Sequence, residues 1–268
     1  MSKFRTTEIS EPEFENNHVR FITVKTHNLK GRGDICVFVP PGEDLKDLPI
    51  VTLLHGVYGS AWVWTQKAGV HLTALRMINK GIIKPMVIAM PSDGLWGDGS
   101  AYIPHNNLDF EKWIVEDVID AVIENITCTS SKSDLFISGL SMGGYGALRL
   151  GAKYPEKYKA ISGHSSITNK DQMHLFIEEN ENHHYLNSRK DDSVFDMMKK
   201  NKKNLPPIRF DCGRDDLLIE HNRELHRKLD KIAVNHIYQE FNGTHEWSYW
   251  QKHIQDTLLF FDFIKKES

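Results

Sequence analysis

A serine flanked by glycines stands near the middle of the chain, in the run Gly139-Leu140-Ser141-Met142-Gly143. Glycines two residues before and two after a serine favour a sharp turn from a strand into a helix, because only small residues fit where the turn crowds its neighbours. Such a turn strains the serine backbone and holds its hydroxyl above the sheet. An apolar run precedes the motif and a helical segment rich in small residues follows it. We therefore expect Ser141 to be a nucleophile, the alternative being a glycine-rich turn needed only for packing.

A serine nucleophile needs a histidine as its base and a carboxylate that orients the base. After a turn of this kind the chain order is Ser, then Asp or Glu, then His. His245 follows the last predicted strand, behind a glycine turn and ahead of the closing helix. Two carboxylates, Asp215 and Asp216, follow Gly213 at the end of the preceding strand. The sequence predicts Ser141 and His245 acting with one of these aspartates, and we prefer Asp216 over Asp215.

Several other polar residues near these junctions are interpreted as structural. The aspartate that is not the acid should cap the following helix or lie in its first turn. Asp211 lies inside a predicted strand rather than beyond its end, and His253 lies inside the closing helix, so we expect a structural carboxylate and a surface histidine. His183 and His184 fall in a charged segment without partner ligands and are also predicted to lie at the surface.

Negative charge that develops on the substrate oxygen needs two N–H donors, one of them the amide of the residue after the nucleophile. That residue is Met142. The second donor should come from the loop after the first parallel strand, which reads His55-Gly56-Val57. We predict the amides of Met142 and Val57, with Gly56 as the alternative to Val57. His55 should hold the loop through a side-chain hydrogen bond.

The elements that must position these residues alternate along the chain. Continuous apolar runs, typical of strands covered on both faces, occupy residues 48–54, 85–90 and 134–138. Further strands are predicted at residues 158–162, 207–212 and 236–241. Helical segments occupy residues 110–126, 142–153, 217–231 and 247–265, and two alternating runs within residues 18–41 indicate a hairpin. This order predicts an α/β fold with a mostly parallel central sheet, an N-terminal antiparallel hairpin and helices on both faces.

The chain shows no repeat and no linker, so we expect a single domain over residues 1–268. Residues 1–15 are polar and are predicted to form a loose arm. Residues 169–204 are polar and charged, and are predicted to be a helical insertion over one edge of the sheet. Its cluster of lysines is interpreted as a solvated face, and it comprises Lys199, Lys200, Lys202 and Lys203.

Composition excludes several classes of function. The 33 lysines and arginines against 36 acidic residues leave a net charge of −3, so no basic field favours nucleic acid or an anionic membrane. No apolar run approaches the ~18 residues of a membrane span, and the N-terminal residues lack the apolar core of an export signal.

Three scattered cysteines predict reduced, buried thiols rather than disulfides or a zinc site. We expect a cytoplasmic protein with no metal or other cofactor, a small-molecule substrate and no nucleic-acid or membrane partner, and a homo-oligomer stays open.

Four ordered blocks resemble the α/β-hydrolase-fold esterases of the esterase D type. They are LLHGVYG at 53–59, GLSMGGYGAL at 139–148, CGRDDLL at 212–218 and GTHEWSYW at 243–250. The family includes tributyrin, feruloyl and acetyl xylan esterases, S-formylglutathione hydrolases and mycolyltransferases. Its acid stands three residues after the glycine of the Cys-Gly block, so the resemblance places the acid at Asp216.

The resemblance implies a serine carboxylesterase that hydrolyses short-chain or small soluble esters through an acyl-enzyme. S-formylglutathione hydrolases usually carry a cysteine-containing Leu-Thr-Cys block where this chain has His55-Gly56-Val57, which favours the carboxylesterase side of the family. A thioester hydrolase or an acyltransferase would use the same residues, and both stay as alternatives. Trp62, Trp64 and Trp96 are expected in loops near the site, lining a pocket or only packing.

Overall fold

The computed structural model describes residues 2–178 and 193–267. Its strands are β1 (Thr7–Ile9), β2 (Val19–Thr26), β3 (Gly31–Phe38), β4 (Ile50–Leu54), β5 (Val87–Pro91), β6 (Pro104–His105), β7 (Leu108–Asp109), β8 (Leu135–Gly139), β9 (Ala160–His164), β10 (Ile208–Gly213) and β11 (Ile237–Phe241). Its α-helices are α1 (Val63–Gln66), α2 (Val70–Asn79), α3 (Phe110–Lys112), α4 (Ile119–Asn125), α5 (Met142–Lys153), α6 (Val194–Lys200), α7 (Ile219–Lys231) and α8 (Trp247–Glu267). A π-helical stretch, Trp113–Val118, joins α3 to α4, and 3-10 turns occupy Pro12–Phe14, Lys170–Leu175 and Lys202–Asn204.

Nine of these strands form one sheet in the order β1-β2-β3-β5-β4-β8-β9-β10-β11. The strands β1, β2 and β3 run antiparallel to their neighbours, and every pair from β5 to β11 is parallel. Every residue of β4, β5, β9 and β10 is buried. Burial on both faces is why β4 and β5 are largely apolar runs rather than alternating ones. The predicted α/β class, the parallel sheet and the N-terminal hairpin are confirmed.

Helices cover both faces of the sheet, as predicted. One core cluster contains apolar residues of the α3–α4 segment, α5, α6 and α7, with Trp113 and Tyr145 among its large side chains. The other contains residues of α1, α2 and α8, with Trp64 and Phe261. Because the two clusters lie on opposite faces of buried strands, the loops at the strand ends are the places where polar side chains can gather.

The N-terminal residues differ from the predicted loose arm. Strand β1 pairs with β2, Phe4 is buried, and the Lys3 ammonium lies 2.8 Å from the Asp117 carboxylate. The segment is held by backbone pairing and by ion pairs rather than by an apolar pattern. The sequence analysis also predicts neither α1 nor α2, although Val70, Ala74 and Met77 have helical spacing and are buried in α2.

The predicted insertion at 169–204 is described only in part, since residues 179–192 lie outside the described residues, as do His183 and His184. Its described parts are the 3-10 turns and α6. The four lysines of the cluster are exposed. Within the part of the chain that the structure describes, no helix combines the length and apolarity that crossing a membrane requires.

Helix α5 packs tightly on β9, and this contact gives a test of the fold. A methyl group at Gly151 would overlap the side chain of the buried Ile161. We expect Gly151→Ala to destabilise the protein by about 1–3 kcal/mol in urea unfolding, although alanine is the better helix former. Gly31→Ala is the matched control, because its methyl group would make only an ordinary contact, at 3.5 Å. Equal stability of the two variants would contradict this packing.

Candidate active site

Ser141 occupies a strained turn between β8 and α5. Its φ of 53° and ψ of −118° are unusual for a residue with a side chain. The turn is pressed against the end of β4, because a Cβ at Gly139 would lie 2.8 Å from the Leu54 carbonyl oxygen and one at Gly143 would lie 2.6 Å from that of His55. Both motif glycines are therefore required by close backbone approach, as the sequence predicted.

Backbone hydrogen bonds hold the strained turn in place. The Ser141 amide donates to the His164 carbonyl at the end of β9 (2.9 Å), and the Ser141 carbonyl accepts from the amides of Tyr145 (3.0 Å) and Ile167 (3.2 Å). Two strands and the first turn of α5 thus fix the nucleophile. The serine side chain has little freedom to leave the sheet edge.

The structure brings Ser141, His245 and Asp216 together. The Nε2 atom of His245 lies 3.0 Å from the Ser141 hydroxyl oxygen. Its Nδ1 atom lies 3.1 Å from Oδ1 and 3.0 Å from Oδ2 of Asp216. A line of hydrogen bonds therefore runs from a buried carboxylate through an imidazole to a hydroxyl, the arrangement in which an imidazole can accept the hydroxyl proton.

The loops that carry Asp216 and His245 are packed against each other. A Cβ at Gly213 would lie 2.8 Å from the Gly243 carbonyl carbon, and the Asp215 amide donates to the Gly243 carbonyl at 3.1 Å. The side chain of Asp215 is exposed and does not cap α7, whose N-cap position is Leu218. The expectation that Asp215 caps this helix is wrong, since the Leu218 amide is bound by Asp216 instead (2.8 Å).

Asp216 is kept ionised by its partners. Its side chain is fully buried (0% exposed), and burial alone would raise the pKa of this carboxyl. The hydrogen bond and charge of His245, together with the Leu218 amide, lower the pKa below its usual value instead. A carboxylate that is charged at neutral pH can accept the Nδ1 proton of His245, which leaves Nε2 free to accept the serine proton.

The loop after β4 lies beside the nucleophile. A Cβ at Gly56 would be 3.3 Å from the Cβ of Ser141, and one at Gly99 would lie 3.5 Å from the Val57 side chain and against that of Met142. Among the described residues, none accepts a hydrogen bond from the amide of Val57 or of Met142. Both predicted oxyanion donors, Val57 in the loop after β4 and Met142 at the start of α5, therefore lie beside Ser141 with their amides available.

His55 holds this loop in place through side-chain hydrogen bonds, as predicted. Its ring is buried, its Nδ1 donates to the Gly56 carbonyl at 2.7 Å, and its Nε2 accepts from the Asp93 amide at 3.0 Å. The hydroxyl of Tyr102 donates to the His55 carbonyl at 2.9 Å. With both ring nitrogens occupied, His55 takes no part in proton transfer at Ser141.

Comparison with known proteins shows the family of this chain. Residues 26–261 match the family described as "Putative esterase". The chain belongs to this esterase family. An acetyl esterase of Caldicellulosiruptor saccharolyticus is 28% identical to it over 243 residues, covering 84% of this chain and 86% of that protein.

Solved structures show the same fold. A ferulic acid esterase matches this esterase with a TM-score of 0.79 at 21% identity, covering 98% of this chain and all (100%) of that one. The S-formylglutathione hydrolase of Staphylococcus aureus matches with a TM-score of 0.77 at 17% identity, covering 94% and 98% of the two chains. The predicted α/β-hydrolase fold is confirmed.

Aromatic side chains that the sequence analysis did not identify surround the imidazole of the esterase. The Phe176 ring lies 5.0 Å from the His245 ring, and the Trp250 ring meets it edge-on at the same distance. The Tyr58 hydroxyl donates to the Phe176 carbonyl at 2.5 Å. Trp250 stands five residues after His245, within the GTHEWSYW block, and could have been identified there. Phe176 lies in a polar segment, and no sequence pattern marks it as part of the site.

The three predicted tryptophans have different positions in the esterase. Trp64 is buried, and its indole N–H donates to the Leu54 carbonyl at 3.0 Å. Trp96 is half-buried and packs against His105 and Phe110. Trp62 is about half exposed (48%). Packing accounts for Trp64 and Trp96, and Trp62 alone has a side chain open to solvent.

His253 and Asp211 are both buried and have structural roles. His253 is buried, against the prediction of a surface histidine, because it lies on the inner face of α8 with its ring 4.1 Å from that of Phe241. Asp211 is fully buried as a structural carboxylate, bound by the Tyr249 hydroxyl (2.7 Å) and by Arg209 (2.5 Å).

Burial removes the cysteines as competing nucleophiles. All three are free and buried, as predicted. Burial raises the pKa of each thiol, to about 12 at Cys36, so that the reactive thiolate is scarce at neutral pH.

The His245–Asp216 hydrogen bond gives a test of the site. We expect a strongly downfield-shifted proton NMR signal from Nδ1–H of His245, because this proton is shared with a buried carboxylate. Asp216→Asn should remove the signal, while Asp215→Asn should keep it, since that neighbouring side chain is exposed. Loss of the signal in the Asp215 variant and its retention in the Asp216 variant would show that Asp215, and not Asp216, orients His245.

Proposed function

We propose that this esterase is a serine carboxylesterase that hydrolyses short-chain or small soluble esters through an acyl-enzyme on Ser141. The observation that carries the proposal is the hydrogen-bonded line from Asp216 through His245 to the Ser141 hydroxyl, with a separation of 3.0 Å between Nε2 and Oγ. In the proposed roles, Ser141 is the nucleophile, His245 the general base and acid, and Asp216 the residue that orients the imidazole.

In the first step the Ser141 oxygen attacks the ester carbonyl while Nε2 of His245 takes the hydroxyl proton. The imidazolium that forms is stabilised by Asp216, which stays ionised because its pKa lies below the usual value. The same proton passes from Nε2 to the leaving alcohol as the C–O bond breaks. Water then attacks the acyl-enzyme by the same route and returns Ser141 to its free form.

The amides of Met142 and Val57 are the proposed donors to the tetrahedral oxyanion. Met142 is the first residue of α5, so the N-terminal end of that helix adds a favourable dipole at the same place. Backbone donors fixed by packing need no rearrangement when the charge develops, and one such donor contributes about 10²–10³ in kcat. Metal ions have no role in this mechanism.

The proposal that the acyl group is small is supported by the acetyl esterase relative, because acetyl is the shortest common acyl group after formyl. The His55-Gly56-Val57 sequence of the oxyanion loop supports an ester over a thioester. We propose further that the protein acts in the cytoplasm on a small-molecule ester, with no cofactor in the reaction and without a nucleic-acid or membrane partner.

Ser141→Ala tests the nucleophile. The variant should lose hydrolysis of p-nitrophenyl acetate by at least about 10³-fold, because removal of a triad member leaves only binding and the oxyanion donors. Its thermal unfolding midpoint should stay close to that of the wild type, and a fluorophosphonate probe should label only the wild type. Ser138→Ala, in the preceding strand, is the control for labelling. Retained turnover would remove Ser141 from the mechanism.

A panel of acyl donors tests the substrate class. We expect kcat/KM for p-nitrophenyl acetate and butyrate to exceed that for the decanoate, and for S-acetyl glutathione and acetyl-CoA, by at least about tenfold. Ser141→Ala supplies the background rate for each donor. Faster thioester hydrolysis would establish the alternative, a thioester hydrolase. Acyl transfer to an added alcohol in excess of free acid would establish an acyltransferase.

A further inference from the structure

A second cluster of titratable side chains lies at the opposite end of the sheet from Ser141. His226 and Asp230 are four residues apart on α7, and His236 directly precedes β11. The Nδ1 atom of His226 lies 2.8 Å from Nε2 of His236, and its Nε2 lies 3.4 Å from Oδ2 of Asp230. Nε2 of His236 is 4.0 Å from Oδ1 of Asp230. One ligand atom from each residue can be chosen so that all three lie within 4.8 Å of one another.

The imidazole of His236 is held with one nitrogen facing this cluster. Its Nδ1 donates to the Val234 carbonyl at 2.8 Å, and its side chain is only 2% exposed. Its ring stacks on Phe210, with centroids 5.5 Å apart and planes at 15°. Since the single proton of a neutral imidazole is used on the carbonyl, Nε2 presents a lone pair to His226 and Asp230. A ring N–H bound to a backbone carbonyl is the usual support of a histidine that ligates a metal.

The imidazole of His226 is also oriented by packing. Its ring stacks on Tyr238 at 4.8 Å and meets the His236 ring edge-on at 5.0 Å. If His226 donates its one proton from Nδ1 to His236, its Nε2 lone pair faces the Asp230 carboxylate. Two electron-rich groups then face each other, and a bound cation would place a positive charge between them.

We propose that His226, Asp230 and His236 bind one divalent transition-metal ion of the Zn²⁺ type. Two imidazole nitrogens and one carboxylate oxygen are a common set of zinc ligands, with a water molecule in the fourth position. Ligand atoms at Zn–N distances of 2.0–2.1 Å lie about 3.3 Å apart in a tetrahedral site. The three ligand atoms lie within 4.8 Å of one another, so rotation of the partly exposed His226 side chain and the exposed Asp230 side chain would bring them to this spacing. His226 and Asp230 are partly exposed, which leaves an entry path for the ion.

The position of the site indicates a structural role. His236 precedes β11 and His245 follows it, so about 16 Å of strand separates the cluster from the base. The ion would fasten the C-terminal part of α7 to the start of β11. These two elements carry the loops that contain Asp216 and His245. Binding should stabilise the folded protein without entering the reaction at Ser141.

Zinc titration of the whole protein tests this proposal. After treatment with a chelator and removal of that chelator, we expect calorimetry to find one Zn²⁺ bound per chain at this site and the thermal unfolding midpoint to rise on binding. His226→Gln and Asp230→Asn should each weaken binding by at least about tenfold and remove most of the rise. His221→Gln, on the same helix but outside the cluster, should bind as the wild type does. Co²⁺ should give the visible absorption of a tetrahedral site with the wild type, and this absorption should be absent with the two ligand variants.

Equal zinc affinity in the wild type and in both ligand variants would overturn the proposal, as would a wild type that binds no zinc. Circular dichroism of the zinc-free variants shows whether they are folded, and both positions are partly exposed, so their folding should be retained. Hydrolysis of p-nitrophenyl acetate should be the same with zinc and after chelation. The Ser141→Ala variant should bind zinc normally, so failure of the hydrolase assignment and failure of the metal site give different results.

Discussion

The backbone conformation of Ser141 is the constraint on which the site depends. A φ of 53° with a ψ of −118° costs of the order of 1–3 kcal/mol at a residue with a side chain. It persists because the surroundings leave no other conformation. Glycines at 139 and 143 allow the turn to press on the end of β4, and the His164 carbonyl at the end of β9 accepts the Ser141 amide. Adjacent parallel strands thus hold the strained residue from both sides.

The same parallel arrangement brings the acid and the base to the serine. Strands β10 and β11 are neighbours in register, with Gly213 paired to Phe241, so the loops that follow them leave the sheet at the same edge. The close approach of Gly213 and Gly243 then sets the distance between Asp216 and His245. Residues separated by more than a hundred positions in sequence meet because each follows a strand of one sheet.

A buried ionic layer lies beneath this edge. Burial alone would raise the pKa of Asp211, but the charges of His164 and Arg209 and the hydrogen bond from Tyr249 hold the pKa well below its usual value. A carboxyl whose pKa is lower in the folded than in the unfolded chain stabilises the fold above the unfolded pKa, and that stability is lost as the pH falls towards the folded one. Since the carbonyl of His164 accepts the Ser141 amide, this layer supports the strand end that holds the nucleophile.

The fold and most of the site could be predicted from local patterns, and the failures have physical causes. Ser141 and His245 are marked by glycine turns at strand ends, whereas Asp215 and Asp216 share the same junction, and only tertiary structure decides which side chain points to the imidazole. Sequence analysis predicts His253 at the surface, but it lies three residues after Trp250 and four after Tyr249, on the same buried face of α8. Strand β1 has no apolar pattern, because pairing at a sheet edge requires only backbone groups.

The cluster of His226, Asp230 and His236 shows why ligand sets escape motif analysis more readily than nucleophiles do. A nucleophile on a strained turn requires glycines, and the glycines remain visible in the sequence. A ligand set requires only that side chains converge, and here the convergence depends on the packing of α7 against β11. Spacing of four residues on α7 is visible, but such spacing is common on exposed helices and indicates nothing until His236 is placed beside it. The catalytic residues at the carboxyl ends of the strands can therefore be predicted from the sequence, whereas the cluster at the opposite ends becomes visible only in the folded structure.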